Sequence, residues 1–379
     1  MFNTVGVSPE LRARLIAVRR DLHQHPELAF AEERTRDVLE RERLRLSPGR
    51  IDRVAKTGLM ARIAGADPNA PVVAVRGDIG ALPIREATGL SFASQTDGAM
   101  HACGHDVHAA WTPGAATVWS EHPAEGARAV LQSGLLDDVR ATFGAHVDRR
   151  FVVGQAVAQA GPLAASAAVF DIVLTGKGAH GARPHESADP VVCMASVIAA
   201  LQTIVPRRVN PATPAVVTVG MISAGSAPSI IPEHVELRGT LRATDPVTRT
   251  LLQDELTQLC THIAAAHRVN ARVTFSGGVP PVVNGANAAA WAADAAAHVL
   301  GPDAVVPLGY THMAGEAFAF YQERISGCFL RVGARNADEA VIAAHSPRFD
   351  VAEDAIAVGA AVLAECARRA SSSLKAGAR

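Results

Sequence analysis

A chain of 379 residues is too long for one ordinary domain and comfortable for two. Its 36 Lys and Arg are matched by 37 Asp and Glu, so it lacks the basic surplus needed to bind a nucleic-acid backbone or an anionic membrane. Aromatics are only 4% of the chain, too few for recognition of bases or sugars by stacking. No run approaches the ~18 apolar residues of a membrane span, and residues 1–20 contain no apolar secretory core. The five cysteines (Cys103, Cys193, Cys260, Cys328, Cys366) are sparse and odd in number. Four of them predict buried thiols in a reducing cytosol rather than a disulfide framework, and Cys103 stands apart in the motif described below.

Leu11, Leu15, Val18 and Leu22 recur at helical spacing and predict an amphipathic helix that Pro26 stops. Residues 72–76 read as a short buried strand running into Gly77-Asp78, and residues 105–120 as partly helical with Pro113 interrupting. A second module begins near Ala168. It reads as a strand at 170–174, a helix at 190–204, paired strands at 215–221 and 235–241, a helix at 246–267 and a strand at 269–275. That β-α-β-β-α-β order is the split two-layer arrangement of ferredoxin-like modules. Helix-rich sequence then runs from about 287 to 369, and residues 371–379 read as disordered. The second module is therefore expected to be an insertion in a discontinuous first domain.

The densest chemistry lies in His101-Ala102-Cys103-Gly104-His105-Asp106-Val107-His108. Imidazole and thiolate are good ligands for zinc and similar ions. The same letters also suit a polar loop before a helix, with Asp106 as a favourable first-turn acid.

This segment resembles the metal-binding motif of the metal-dependent aminoacylase/carboxypeptidase family, in the amidohydrolase branch that includes hippurate and indoleacetyl-amino-acid hydrolases. Arg20-Asp21-Leu22-His23-Gln24-His25-Pro26-Glu27-Leu28 resembles the family's N-terminal signature. Gly176-Lys177-Gly178-Ala179-His180-Gly181-Ala182-Arg183-Pro184-His185 resembles the start of its lid domain. Ile231-Pro232-Glu233-His234-Val235 and His345-Ser346-Pro347-Arg348-Phe349 also match, in family order.

The resemblance implies an α/β fold: a mixed-sheet, metallopeptidase-like catalytic domain at 1–166 and 277–379, with an inserted ferredoxin-like α+β lid/dimerisation domain at 167–276. It implies a homodimer through the lid and two divalent metal ions (zinc, manganese or cobalt), bridged by the Cys103 thiolate and a water. His105, His146 and His345 would complete the ligands, and His108 would orient one of them. His180 would stabilise a developing oxyanion, often in the partner chain. The implied reaction is hydrolysis of the amide bond of N-acyl amino acids or related small amides. Taken singly, His146 also suits an ordinary strand end, and His180 and His345 suit surface loops.

The pattern has departures. The family carries Gln-Pro-Ala-Glu-Glu, a general base followed by a metal ligand, where this chain has His122-Pro123-Ala124-Glu125-Gly126. Glu125 would be the base and Gly126 replaces the ligand, with Glu121 and His122 close enough to substitute. Glu125 equally suits an exposed loop. The connection from Trp111 to Gly126 is too short for the helix, loop and central strand the family fits there, so a rearranged sheet is expected. Gly80, Ser229 and Ala317 replace an aspartate, an asparagine and an aspartate. These losses leave a second reading open: an impaired or non-hydrolytic relative acting as a binding or regulatory dimer.

Overall fold

The computed structural model describes residues 7–65, 67, 69–115 and 125–377. They form two compact units: Met1–Gly161, Val283–Gly309 and Ala317–Arg379 make one, and Pro162–Val282 with Tyr310–Glu316 make the other. The chain opens with α1 (Pro9–Gln24) and α2 (Glu33–Leu44), followed by the hairpin β1 (Arg50–Val54) and β2 (Gly58–Arg62). The Ser8 hydroxyl caps α1 by accepting the Leu11 N–H at 3.2 Å, and Pro9 sits in the first turn. Then come β3 (Val72–Arg76), α3 (His105–Ala115), α4 (Glu125–Gln132), β4 (Val139–Val152), β5 (Ala156–Val157) and β6 (Gly161–Ala164).

The second unit runs through β7 (Ala167–Thr175), β8 (Ala179–His180), α5 (Pro190–Leu201), α6 (Ile204–Arg208), β9 (Ala215–Ala224), β10 (Ile230–Ile231), β11 (His234–Ala243), α7 (Pro246–Ala266) and β12 (Asn270–Val279). Its main sheet has the order β12-β7-β11-β9 and is antiparallel throughout. Alternate residues of β7 and β11 are buried, as expected when one face of a sheet packs on a core. Cys193 and Val197 of α5 and Leu252, Leu256 and Cys260 of α7 belong to that core. Asp189 and Asp245 cap these two helices, each followed by proline.

The chain returns through β13 (Val282–Asn284), α8 (Ala286–Leu300), α9 (Phe318–Gln322), β14 (Gly327–Arg335) and α10 (Asp354–Gly377). The first unit's sheet has the order β3-β4-β14-β5, with β3, β4 and β14 parallel and β5 antiparallel. This is the mixed sheet expected from the sequence. Two of its strands depart from that reading. β4 was not anticipated, and β14 lies inside the stretch read as helix-rich. Cys328, Phe329, Leu330 and Val332 of β14 are all buried, so the strand has no polar face and no period-2 signal.

The expected disordered tail is corrected too: α10 continues to Gly377. Ala370 is buried, Leu374 packs on the core, and Lys375 pairs with Asp67. Among the described residues no strand pairs the outer edge of β3, and β1 and β2 pair only with each other. Residues 116–124, where the shortened connection lies, are outside the described residues.

Two close approaches hold α3 in place. A Cβ on Gly359 of α10 would stand 2.0 Å from the buried Trp111 ring, and one on Gly77 would stand 2.7 Å from the His108 carbonyl oxygen. Gly359→Ala is therefore expected to lower stability by at least about 2 kcal/mol, because the packed core cannot absorb the methyl without moving α3 or α10. Denaturant unfolding of the two proteins checks this.

Candidate metal centre

The site forms where β3 ends. Arg76, the last residue of β3, pairs with Gly144 of β4, so His146 emerges just beyond the carboxyl end of β3. The loop after β3 carries Asp78 and Gly80. Cys103 and His105 stand at the start of α3, and His345 lies in the loop after β14. Carboxyl ends of parallel strands are the usual place for a site in such sheets.

Cys103 Sγ is 3.3 Å from His146 Nε2. One ligand atom each from Cys103, His105 and His146 falls within 4.8 Å of the others. His105 donates its Nδ1–H to the Gly80 carbonyl at 2.7 Å, and His146 donates its own to the Val147 carbonyl at 2.7 Å. A carbonyl only accepts, so each Nδ1 carries its proton into these bonds, and Nε2 is the nitrogen that each ring turns to Cys103 and its neighbours. The His345 side chain hydrogen-bonds Cys103. Its backbone N–H donates to the Ala102 carbonyl at 2.7 Å, and its φ of 69° lies in the left-handed region. That strain at a histidine is held by the contacts around it.

Burial opposes ionisation of Cys103, but the charges of His146 and His105 and their hydrogen bonds hold the thiol well below its usual range. Burial likewise works against a charged His146, and Cys103 overrides it and raises the imidazole. Donating a hydrogen bond to the Cys103 sulfur raises His345. A thiolate among imidazoles whose other nitrogens are committed to carbonyls is the donor chemistry that zinc-like ions take. The residues present fit a divalent metal.

Asp78, His105 and His108 form a second cluster with ligand atoms within 4.8 Å. His108, however, is used at both nitrogens. Its Nδ1–H donates to Asp78 Oδ1 at 2.5 Å, and its Nε2 accepts the Val147 N–H at 3.0 Å. It is fully buried, stacks on Trp111 with ring centroids 4.9 Å apart, and burial pushes it down to about 4. His108 therefore holds the centre from behind, while Asp78 Oδ2 stands 3.5 Å from His105 Nε2.

Behind α3 lies a charged cluster that sequence reading passed over. Asp106 accepts from Arg19 at 2.8 Å and from His23 Nδ1 at 2.9 Å, and His23 Nε2 is 3.3 Å from Glu86. Arg19 and His23 share the apolar stripe of α1 with Leu15, Val18 and Leu22, which is the signal that could have marked them. His101, in the motif itself, has no hydrogen-bond partner at either nitrogen among the described residues. Burial drives it down to about 3.

Of the other residues expected from sequence, His180 stands in the second unit on β8. Its Nδ1 accepts the Ala182 N–H at 3.0 Å, which leaves the proton on Nε2. With Gly178, Ser226, Ser229, Ile231 and Glu233 it lines an open groove of about 760 Å³. Glu125 opens α4, but its side chain lies outside the described residues, as do Glu121 and His122. Ala317 is buried just before α9.

A sequence profile of peptidase family M20/M25/M40 matches residues 117–369. The chain belongs to this family. It is similar to the N-acetylcysteine deacetylase of Bacillus subtilis, at 36% identity over 93% of this chain and 96% of the relative. It is also similar to the IAA-amino acid hydrolase ILR1-like 2 of Arabidopsis thaliana, at 35% identity over 95% and 86%. Among solved structures it resembles the YXEP protein of Bacillus subtilis, a dinuclear metal binding peptidase from the M20 family. The TM-score is 0.79 at 35% identity, covering 95% of this chain and 98% of that one.

The buried cluster makes stability depend on pH. Burial works to discharge His23, but the charge and hydrogen bond of Asp106 and the bond to Glu86 win, raising it to about 9; Arg19 opposes them and His101 stays neutral. An unfolded histidine titrates near 6.5. The stabilisation is therefore fully present below about pH 6.5 and fades as pH rises through about 9. Wild type should lose up to about 3 kcal/mol over that window relative to His23→Gln. Urea unfolding of both proteins at several pH values measures the difference.

Proposed function

We propose that this chain is a metal-dependent amidohydrolase that cleaves the amide bond of N-acyl amino acids or related small amides. The observation that carries the reading is the Cys103 sulfur grouped with ligand nitrogens of His105 and His146, with His345 hydrogen-bonded to it. The names of the deacetylase and amino-acid hydrolase relatives support the same class. They favour hydrolysis over a purely binding or regulatory dimer.

In this reading Cys103, His105, His146 and His345 hold the metal, with Asp78 Oδ2 beside them. Two divalent ions, zinc, manganese or cobalt, are proposed by analogy with the dinuclear relative. Bound there, such ions supply the Lewis acidity that polarises an amide carbonyl and acidifies water. Glu125 takes the proton from the attacking water and returns it to the leaving amine. His180, with its proton on Nε2, is the donor that the family resemblance gives to a developing oxyanion, often that of the partner chain. The second unit is assigned as the lid. The outer edge of β9, with exposed Met221 and Ile222, is proposed to pair with its counterpart in a homodimer.

Chelation should abolish hydrolysis of an N-acyl amino-acid panel, and zinc, manganese or cobalt should restore it. Cys103→Ala should lower metal content, read by elemental analysis, together with activity. Glu125→Gln should retain metal while kcat falls about 10²–10⁴-fold. A metal-loaded wild type inert towards the whole panel would sink the hydrolase reading.

A further inference from the structure

Glu32 is a fully buried carboxyl beside the loop that carries Asp78, held by the Thr57 hydroxyl and by backbone N–H groups of its own turn. It occupies the N-cap position of α2, yet its side chain makes no capping bond. Glu27 does that work, accepting the N–H groups of Arg34 at 3.1 Å and Thr35 at 2.7 Å. One Glu32 oxygen, Oε2, accepts the Thr57 hydroxyl at 2.7 Å. The other, Oε1, is buried with no hydrogen-bond partner among the described residues. Leaving such an atom unsatisfied is costly, and a native protein that keeps one calls for a reason.

Oε1 points at Gly80: it lies 3.1 Å from where a Cβ on that residue would stand. The two segments are clamped together, since the Ala81 N–H donates to the Glu27 carbonyl at 2.9 Å and Leu28 bridges Ala81. Ile79, between Asp78 and Gly80, is buried as well. On its other side, the Gly80 carbonyl is the acceptor that orients His105.

We propose that Glu32 is a positioning residue of the metal centre, its carboxyl filling the space of the absent side chain at position 80 and bracing the loop that carries Asp78 and orients His105. It touches neither metal nor substrate. The proposal rests on the metal-centre reading and adds to it a residue some distance away in sequence that sets the ligands' geometry.

The test is zinc affinity of the full chain by competition with a chromophoric chelator, with the melting temperature of each metal-free variant recorded beside it. Glu32→Ala should bind zinc about 10–100-fold more weakly, as loss of a group behind a ligand does. Glu32→Gln, which keeps the shape, should stay within about threefold of wild type. The double variant Glu32→Ala/Gly80→Asp, which refills the space from the opposite wall, should recover most of the loss. Gly80→Ala needs only a small shift to fold and keeps the test open should Glu32→Ala not fold. Its methyl presses on Oε1, and zinc binding should weaken.

A merely structural glutamate would lower the melting temperature of the metal-free protein and leave zinc affinity alone. Unchanged affinity in Glu32→Ala or Gly80→Ala, or a folded double variant that recovers nothing, overturns the proposal. A wild type that binds no zinc overturns the metal-centre reading along with it.

Discussion

The donors of the proposed metal centre hold their relative places because His108 is tied at both ring nitrogens. β3 pairs with β4 only as far as Arg76 and Gly144. Just past that point the Val147 N–H would lack a strand partner on this side, and the His108 Nε2 takes it. Through Nδ1 the same ring holds Asp78, in the loop where β3 ends. One neutral, buried imidazole on α3 thus joins the three elements that carry Asp78, His105 and His146. Burial keeps it neutral, and neutrality lets it donate on one side while accepting on the other. Trp111, one turn further along α3, stacks on the ring and packs against Gly359. The helix can therefore neither slide nor rotate without breaking this link.

Beneath that link, Asp106 anchors α3 to α1. A buried carboxylate is tolerable only when opposed by charge and satisfied by hydrogen bonds. Asp106 has Arg19 and His23 opposing its charge and bonded to Oδ2, and they hold its pKa well below the usual carboxylate range despite burial, while Oδ1 has no hydrogen-bond partner among the described residues. Arg19 reaches on to Asp350, and His23 to Glu86. The charges alternate in sign, so no single group carries an uncompensated burial. Removing one partner would leave the others exposed to that cost, which is why such clusters specify one arrangement of helices even where their net contribution to stability is small.

Much of this was legible in sequence, for identifiable reasons. The helical stripe of α1 and the strand and helix order of the second unit are local patterns, and local patterns survive in a linear text. Cys103, His105 and His108 lie within six residues and announced themselves together. His146 and His345 were reached only through resemblance, because nothing near them in sequence marks them. β14 was hidden by its burial on both faces, and α10 runs past its expected end because Leu374 and Lys375 find partners far along the chain. His108 was expected to orient a ligand; its two hydrogen bonds go instead to Asp78 and to the Val147 N–H, next to His146. Arg19, Glu86 and Glu32 act across long sequence separations, and no period or spacing encodes such contacts.

The state of the donors before metal binding follows from the same electrostatics. Contact with His146 and His105 lowers the Cys103 thiol, and contact with Cys103 in turn raises His146 and His345. A metal held there as proposed would take the thiolate and neutral imidazoles, so its binding would be favoured by higher pH. The Nδ1–H bonds of His105 and His146 to carbonyls remain correct in either state, since they never involve Nε2. A metal held by these residues as proposed would therefore need no ring to turn, since the bonds that orient His105 and His146 are already made.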